Sequence, residues 1–304
     1  MSLPQALPLT PTNLAIRAAP QAVPVTGASL TRRVSVIIPA YNDLKSLILC
    51  LKSLVATAGA EGMAGRMEIL VQDDASPDVD LTEIIGPPAQ VARNPRNLGF
   101  AGNCNAGASR AAGDVLFFLN QDTQAQPGWF EPLMAMFDNL QVGIVGPKLV
   151  FPPAPNGTGA LPGLTAPRPP ATAYSIQSCG GLYDGGKGPF HRYIGFAADD
   201  WRVNIAERVS WTTGAALAVR RDLFEKVSGF DAAYGRGYFE DVDLCEKVKE
   251  RGYEVWYCPE AVFTHKVGTS NAETAESFRA NSLRFHERWD RRITPDTNII
   301  HVNY

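Results

Sequence analysis

The first half of the chain alternates short apolar runs with segments of helical periodicity, and this alternation constrains the fold more than any other feature. The run "VSVIIPAYND" is rich in β-branched residues, which favour strands. Within residues 44–55, apolar side chains recur at i, i+3, i+4 and i+7, the spacing of one helix face. We predict a strand ended by Pro39, then a helix with Asn42 or Asp43 as its N-cap.

Three more strands are predicted at "MEILVQDDAS", "QVAR" and "VLFFLNQDT". A helix rich in small residues, capped by Asn97 and ended by Gly113, is predicted between the last two. Strands that alternate with helices and are apolar on both faces predict a mostly parallel, doubly wound α/β sheet. Ligands of such sheets bind beyond the carboxyl ends of the strands, so residues 39–41, 73–74 and 120–122 should border one crevice.

The second half of the chain is less regular at first. Residues 152–200 are rich in Pro and Gly, and we predict a functional loop or a lid there. A strand in "VSWTTGAALAVRR", helices in "DLFEKVSGF" and "DVDLCEKVKERG", a strand in "YEVWYC" and a last helix near 272–289 are expected to follow.

Length and composition predict one large domain or two tightly joined ones; we assign residues 31–304 to one α/β domain, preceded by a disordered or surface arm at 1–30. We divide the domain into halves at 31–150 and 151–304. The sequence contains no run of about twenty apolar residues, which a membrane-spanning helix would need. We therefore expect any membrane contact to be peripheral, at the inner face. The five cysteines are scattered without metal-ligand spacing, which favours buried thiols in a cytoplasmic protein. A homodimer is compatible with this composition.

The formal charge of -3 and the lack of a basic block argue against nucleic acid as a partner. Asp122, at the end of the fourth strand, is a hard oxygen ligand of the kind that Mg²⁺ or Mn²⁺ uses together with substrate phosphates. The alternative is that "NQDT" forms an ordinary turn. His265 could complete a metal site through a ring nitrogen, although a single histidine is more often structural.

Two acidic residues begin a predicted helix in "YFEDVDLCEKVKERG". Asp241 could accept a proton from a hydroxyl, with Glu240 as its neighbour; the alternative is that Asp241 only caps the helix. Asp243 is expected to be a solvated acid of the first turn. Nearby, the segment 211–214 could line a sugar pocket through Trp211, Thr213 and Gly214, unless the tryptophan belongs to the core.

Taken together and in this order, several motifs resemble the family 2 glycosyltransferases of the GT-A fold, and within them the bacterial rhamnosyltransferase-like group. They are "VSVIIPAYND", "DDAS", "NLGFAGNCNAG", "FLNQDT", "GAALAVRRDLFEKVSGFD" and "YFEDVDLCEKVKERGYEVWYCPEAVFTHKVGTS". The resemblance covers residues 34 to about 270. It implies inverting transfer of one sugar, rhamnose or another hexose, from a UDP- or dTDP-linked donor to a saccharide or lipid-linked saccharide. Such reactions build cell-surface polysaccharides and glycolipids.

The resemblance also implies roles for individual residues. Asp241 matches the general base, Glu240 its neighbour, and Asp122 and His265 the contacts to a divalent cation, Mg²⁺ or Mn²⁺. Asn120 stands where the family's D-x-D motif has its first acid. The residues that match nucleotide and donor contacts are Pro39, Tyr41, Asp74, Asn97, Gly99, Asn105, Asn120 and Gln121.

Other classes of protein fit less well. A dehydrogenase would need G-x-G-x-x-G after the first strand, where "PAYND" stands, and a sugar nucleotidyltransferase would need a Gly-rich basic loop there. A processive synthase would carry spanning helices and Q-x-x-R-W, whereas "FHERW" has Phe285 in place of Gln. A nucleotide-sugar-binding relative that has lost activity remains an alternative, because Asn120 replaces an acid.

Overall fold

The computed structural model describes residues 31–60, 63, 65–153, 174–184, 188–266 and 274–296. The strands are β1 (Val34–Ala40), β2 (Met67–Asp73), β3 (Ala89–Arg93), β4 (Val115–Leu119), β5 (Thr123–Ala125), β6 (Val142–Phe151), β7 (Ser175–Ser178), β8 (Gly181–Asp184), β9 (Gly188–His191), β10 (Glu207–Arg208), β11 (Ala216–Arg220) and β12 (Glu254–His265). The α-helices are α1 (Leu44–Ala60), α2 (Leu81–Ile84), α3 (Gly99–Ala108), α4 (Phe130–Ala135), α5 (Arg221–Lys226), α6 (Glu240–Lys249) and α7 (Thr274–Trp289). The predicted arm at 1–30 lies outside the described residues.

One mixed sheet organises the described part of the chain. Its order is β10-β12-β6-β11-β4-β1-β2-β3, with β5 beside β12 and β7 beside β6. The strands predicted from the first half, β1 to β4, pair in parallel as expected. Strand β11 is antiparallel to both β4 and β6, a reversal that local periodicity does not reveal.

The sheet is buried on both faces, which explains why its strands are continuously apolar. In β4, Leu116 and Phe118 belong to one core, and Val115, Phe117 and Leu119 belong to the other. In the second core the fully buried Trp129 stacks on Phe117, with ring centroids 5.5 Å apart. Side-chain packing on two sides therefore fixes the strand ends that border the site.

The prediction that Pro39 ends the first strand is wrong. Strand β1 continues to Ala40, and its ladder with β2 runs to the pair of Ala40 with Asp73. The ladder between β1 and β4 stops at Ile37, so beyond that residue β1 has a sheet partner on one side only. A residue without an N–H is tolerated there. The predicted helix after it is confirmed, and Asp43 caps it by accepting from the Ser46 N–H at 3.0 Å.

Helix α3 is shorter than predicted at both ends. It begins at Gly99 and ends at Ala108, although the Asn97 side chain does accept from the Gly99 N–H at 3.1 Å. Gly113 lies beyond the helix, where a Cβ atom would be 2.6 Å from the Ser35 nitrogen. This glycine permits a close approach to β1 and does not terminate the helix.

The prediction that residues 152–200 are irregular is wrong for the part that the structure describes. Strand β7 pairs with β6, and β8 and β9 form a separate two-stranded hairpin. Strands of four residues are too short to show a period, and Gly180 and Gly188 lie at φ 82° and 81° at their ends. Residues 154–173 lie outside the described part, so a lid there stays a prediction.

The other elements predicted in the second half are present, with changed bounds. The strand expected from Val209 begins only at Ala216, whereas β12 extends beyond "YEVWYC" to His265. All five cysteines are buried and free, which confirms that they fill the core. Among the described helices, none has the length and apolarity needed to cross a membrane.

Candidate active site

A crevice of about 1300 Å³ opens beyond the carboxyl ends of β1, β2 and β4. It brings together every site residue predicted from the sequence except Asn105 and Asp73; the prediction for Asp73 is wrong, because this carboxylate is fully buried and pairs with Arg93 and Ser76. Those lining it are Pro39, Tyr41, Asp74, Asn97, Gly99, Asn120, Gln121, Asp122, Trp211, Thr213, Gly214, Glu240, Asp241 and His265. The convergence of polar groups from three strand ends, expected from the sheet type, is confirmed.

The ends of β1 and β4 are joined by one amide side chain. Gln121 accepts from the Tyr41 N–H at 3.1 Å and donates to the Tyr41 carbonyl oxygen at 2.9 Å. A side chain with both a donor and an acceptor is required for this pairing, which explains the amide at this position. Tyr41 is 47% exposed and lines the crevice, so its ring is available to stack on a ligand.

The carboxylate of Asp74 holds the start of α3. One of its oxygens accepts from the Asn94 side chain and from the Leu98 N–H, both at 2.8 Å, and the other accepts from the Gly99 N–H at 3.0 Å. A carboxylate has about four acceptor directions, so three bonds leave one for a ligand N–H. Asp74 is thus both a structural residue and a crevice residue.

Gly99 cannot carry a side chain. Its φ is 75°, and a Cβ atom would lie 2.3 Å from the Gly235 carbonyl oxygen. This contact holds the start of α3 against the loop that precedes α6. Asn105, predicted as a donor contact, lies outside the crevice lining: it donates to the Phe230 oxygen at 2.8 Å and accepts from the Phe230 N–H at 3.0 Å. Its amide is therefore occupied by the chain, not by the crevice.

Asp122 and His265 come together across the antiparallel pairing of β5 with β12. His265 Nε2 lies 3.0 Å from an Asp122 carboxylate oxygen and 3.5 Å from the Asn120 side-chain nitrogen. The other ring nitrogen, Nδ1, lies 2.7 Å from the Gln177 side-chain oxygen, which can only accept. Nδ1 therefore carries a hydrogen, and Nε2 faces the Asp122 carboxylate with either a proton or a lone pair.

Two facing electron-pair donors require a proton or a cation between them, so the Asp122 and His265 pair fits a divalent cation. A second hydrogen bond on the far ring nitrogen is the usual support of a metal-bound histidine. Among the described residues, no group of three or more His, Cys, Asp or Glu side chains is arranged so that it could hold a metal ion by itself. An ion here would need further ligands from water and from a bound phosphate, as Mg²⁺ commonly does.

Asp241 does not cap α6. The helix begins at Glu240, and its N-cap is Phe239, which has a left-handed backbone with φ 72°. The Asp241 carboxylate accepts from the Gly214 N–H and from the Val242 N–H, both at 2.8 Å. Burial raises its pKa above the usual range, although these N–H bonds act in the opposite direction. A positioned carboxylate with a raised pKa is a stronger proton acceptor than a solvated one.

Glu240 is a second buried acid at the same helix start. It is 5% exposed, and its Oε2 atom has no hydrogen-bond partner among the described residues. Burial, and then the neighbouring Asp241, raise its pKa well above the usual value. We therefore assign the neutral form to Glu240 and the ionised form to Asp241, because two adjacent buried carboxylates are not both charged.

The prediction that Asp243 is solvated is wrong. Asp243 is fully buried and accepts from the Trp289 indole N–H at 2.8 Å. Its carboxylate also lies 3.1 Å from Arg288 and 3.3 Å from Lys247. These partners come from α7 and from the next turn of α6, so Asp243 joins the helix that carries Asp241 to the last helix.

The predicted sugar-pocket tryptophan is largely a core residue. Trp211 is 4% exposed, donates to the Leu182 carbonyl oxygen at 3.2 Å, and lies so close to Gly181 that a Cβ atom there would be 2.0 Å from the ring. Thr213 and Gly214 continue from it to Asp241. The β8–β9 hairpin adds Pro189 and His191 to the crevice, and sequence reasoning missed both because they lie in the segment interpreted as irregular.

Further lining residues missed by the sequence analysis come from the loop before α6 and from α7. Tyr238 and Phe278 have their rings 5.5 Å apart and are 37% and 48% exposed. Both line the crevice. The motif "GRGYFED" could have predicted this loop, since glycines directly before the paired acids indicate a loop whose backbone approaches another element closely.

Comparisons with known proteins agree with this arrangement. Residues 35–181 match the model of the family described as Glycosyl transferase family 2. A protein of Sinorhizobium fredii described as uncharacterized is 25% identical over 281 residues, 88% of this chain and 28% of that protein. A pre-mycofactocin glycosyltransferase of Mycobacterium tuberculosis is 26% identical over 236 residues, 77% of this chain and 43% of the relative. The chain spans less than half the length of these relatives.

A solved structure extends the comparison to the whole fold. The crystal structure of GalNAc-T7 with UDP, GalNAc and Mn²⁺ aligns with a TM-score of 0.65 at 18% identity, covering 85% of this chain and 48% of that one. At this identity the likeness concerns the fold. The chain has the GT-A fold predicted from its motifs, and its residues 35–181 match family 2 of the glycosyl transferases.

Proposed function

We propose that this protein transfers one sugar from a nucleoside diphosphate sugar to a hydroxyl acceptor, with inversion at the transferred carbon. The observation that carries the proposal is the Asp241 carboxylate, fixed by the Gly214 and Val242 N–H groups at 2.8 Å each in the crevice that Asp122 and His265 also line. The family match and the names of the glycosyltransferase relatives support a sugar nucleotide as donor.

In the proposed reaction, Asp241 accepts the proton of the acceptor hydroxyl. The freed oxygen electron pair forms a bond to C1 of the donor sugar while the bond from C1 to the diphosphate oxygen breaks. The nucleoside diphosphate leaves with that electron pair. A single displacement inverts the configuration at C1, and it requires a base on the acceptor side but no nucleophile on the other.

The rest of the crevice would hold the donor. Tyr41 offers an exposed ring for a base, and Asp74 keeps one acceptor direction for a base N–H. Asp122 and His265 would hold a Mg²⁺ or Mn²⁺ ion, which when bound neutralises charge on the departing diphosphate. Mn²⁺ accompanies UDP in the crystal structure of GalNAc-T7, which supports this assignment.

The motif resemblance supports rhamnose or another hexose as the transferred sugar, in cell-surface polysaccharide or glycolipid synthesis. A UDP- or dTDP-linked donor and a cytoplasmic site belong to the same proposal. The buried, free cysteines support a reducing compartment. The second candidate function is a sugar-nucleotide-binding protein without activity, which the Asn120 substitution in the acid motif favours.

The experiment measures release of nucleoside diphosphate from a panel of UDP-, dTDP- and GDP-sugars, with Mn²⁺ or with chelator. Activity should require the ion, and Asp122→Ala should abolish it while leaving the unfolding transition unchanged, because the side chain lies outside both cores. A matched control is Asp43→Ala, which removes a crevice carboxylate that caps a helix. Full activity of Asp122→Ala in chelator would contradict the metal assignment.

A further inference from the structure

The β8–β9 hairpin places an imidazole in the crevice that Asp241 also lines, and this inference rests on the proposed function. Pro189 and His191 lie in β9 and line the crevice, although no resemblance assigns either residue a role. The crevice wall continues along the chain from Trp211 through Thr213 to Gly214, whose N–H holds Asp241. The ring centroids of His191 and Trp211 lie 4.6 Å apart, and the three residues from Trp211 to Gly214 span at most about 10 Å of chain, so an acceptor that lies along this wall can contact both His191 and Asp241.

Two contacts orient the His191 ring. Its Nδ1 atom lies 3.1 Å from the Ser178 hydroxyl oxygen, and its ring centroid lies 4.6 Å from that of Trp211, tilted by 57°. Trp211 is itself fixed by its bond to the Leu182 carbonyl oxygen. The Nε2 atom of His191 has no hydrogen-bond partner among the described residues, and it belongs to a side chain that lines the crevice.

The surroundings define the chemistry of a ligand. Burial lowers the pKa of His191 to about 4, so the ring is neutral near neutral pH. A neutral imidazole can donate or accept one hydrogen bond at Nε2, as a sugar hydroxyl also can. It carries no charge that would select a phosphate. Pro189 adds an apolar surface beside it, which suits the C–H face of a sugar ring.

We propose that His191 binds the acceptor, its Nε2 atom hydrogen-bonding a hydroxyl of an uncharged saccharide that extends along the crevice wall to Asp241. Trp211 is a positioning residue that orients the imidazole. Trp211 is too deeply buried for a sugar ring to stack on it. His191, whose ring packs on Trp211, is the residue that contacts the sugar instead.

The first test detects binding without transfer. Protein labelled at its four histidines is titrated with p-nitrophenyl glycosides of glucose, galactose, mannose, rhamnose and N-acetylglucosamine, and the imidazole NMR signals are followed. The His191 signal, assigned by its loss in His191→Gln, should shift with at least one glycoside. UDP with the diamagnetic Mg²⁺ should shift the His265 signal instead. If none of the glycosides shifts the His191 signal, the proposal is overturned.

The second test uses turnover of the same glycosides. His191→Ala should raise the acceptor KM about tenfold, the value of one hydrogen bond, with donor KM and donor hydrolysis unchanged. His191→Gln should recover part of the loss, and the control Lys226→Ala, at an exposed lysine of α5 that is paired with Asp222, should match the wild type. An unchanged acceptor KM in His191→Ala overturns the inference even where the proposed function holds. Binding without any turnover would instead overturn the proposed function and leave the inference standing.

Discussion

Replacing Asp243 with Asn should destabilise the protein far more than the same change at an exposed position of identical spacing. Asp243 is fully buried and pairs with Lys247, four residues later, at 3.3 Å; the Lys247 side chain is 11% exposed. Asp222 and Lys226 have the same spacing at 2.9 Å, but their side chains are 63% and 60% exposed. The two Asp→Asn variants therefore compare the same type of Asp–Lys pair in a buried and in an exposed environment.

The expected magnitudes follow from burial. Removing one partner of a buried ion pair costs about 3–5 kcal/mol, because the other charge stays desolvated. Arg288 is 40% exposed and can turn toward solvent, and Asn can still accept from the Trp289 indole. We therefore expect about 3 kcal/mol for Asp243→Asn, near the lower limit. An exposed pair contributes about 0.5 kcal/mol, so Asp222→Asn should be nearly neutral.

Equilibrium unfolding in urea measures both free energies, and tryptophan fluorescence is a suitable probe because Trp289 contacts Asp243. Asp243→Asn should move the midpoint to clearly lower urea with little change in slope. A difference between the two variants below about 1 kcal/mol would refute the reasoning from burial.

Three further predictions concern the crevice. Gly99→Ala should cost more free energy of unfolding than Gly128→Ala, because both have positive φ but only Gly99 approaches other atoms within 4 Å; equal losses in urea unfolding would contradict this. Glu240→Gln should be more stable than the wild type at pH 8, and this advantage should be smaller at pH 5. The pKa of Glu240 is raised in the folded state, so the wild type loses stability as the pH rises above the usual value of 4.5, whereas the Gln variant does not. A stability difference that does not depend on pH would count against a neutral Glu240. Asp241→Asn should lower turnover about a hundredfold while keeping donor binding, as measured by kinetics and calorimetry; unchanged activity per folded molecule would leave Asp241 a structural role.

The fold of the first half follows from the sequence because its strands are packed on both sides. Burial of β1 and β4 on two faces requires continuous apolar runs, and these are visible without knowledge of the partners. The polar residues at the strand ends were predictable for the same reason. The antiparallel course of β11 was not, because strand direction depends on the chain path and not on local periodicity.

Residues whose environment is made by distant segments were harder to predict. Asp243 looked like a solvated acid with a lysine four residues later, and only its contacts with Trp289 show that α7 covers it. His191 ends a four-residue strand that begins with Gly188, and so short a strand carries no periodic signal. Asn105 matched a motif, but its amide had a nearer partner in the backbone of Phe230. In each case a contact across many residues of sequence decides the role.

The most direct test of the proposed function follows both products of the reaction in one assay. The wild-type protein is incubated with Mn²⁺, the sugar-nucleotide panel and the p-nitrophenyl glycosides, and nucleoside diphosphate and glycosylated product are quantified together. We predict equal amounts of the two products, an inverted configuration at the new linkage by NMR, and formation of both products about a hundredfold more slowly by Asp241→Asn. Retained configuration, or formation of both products at the wild-type rate by Asp241→Asn, would contradict the assignment of Asp241 as the base of a single displacement.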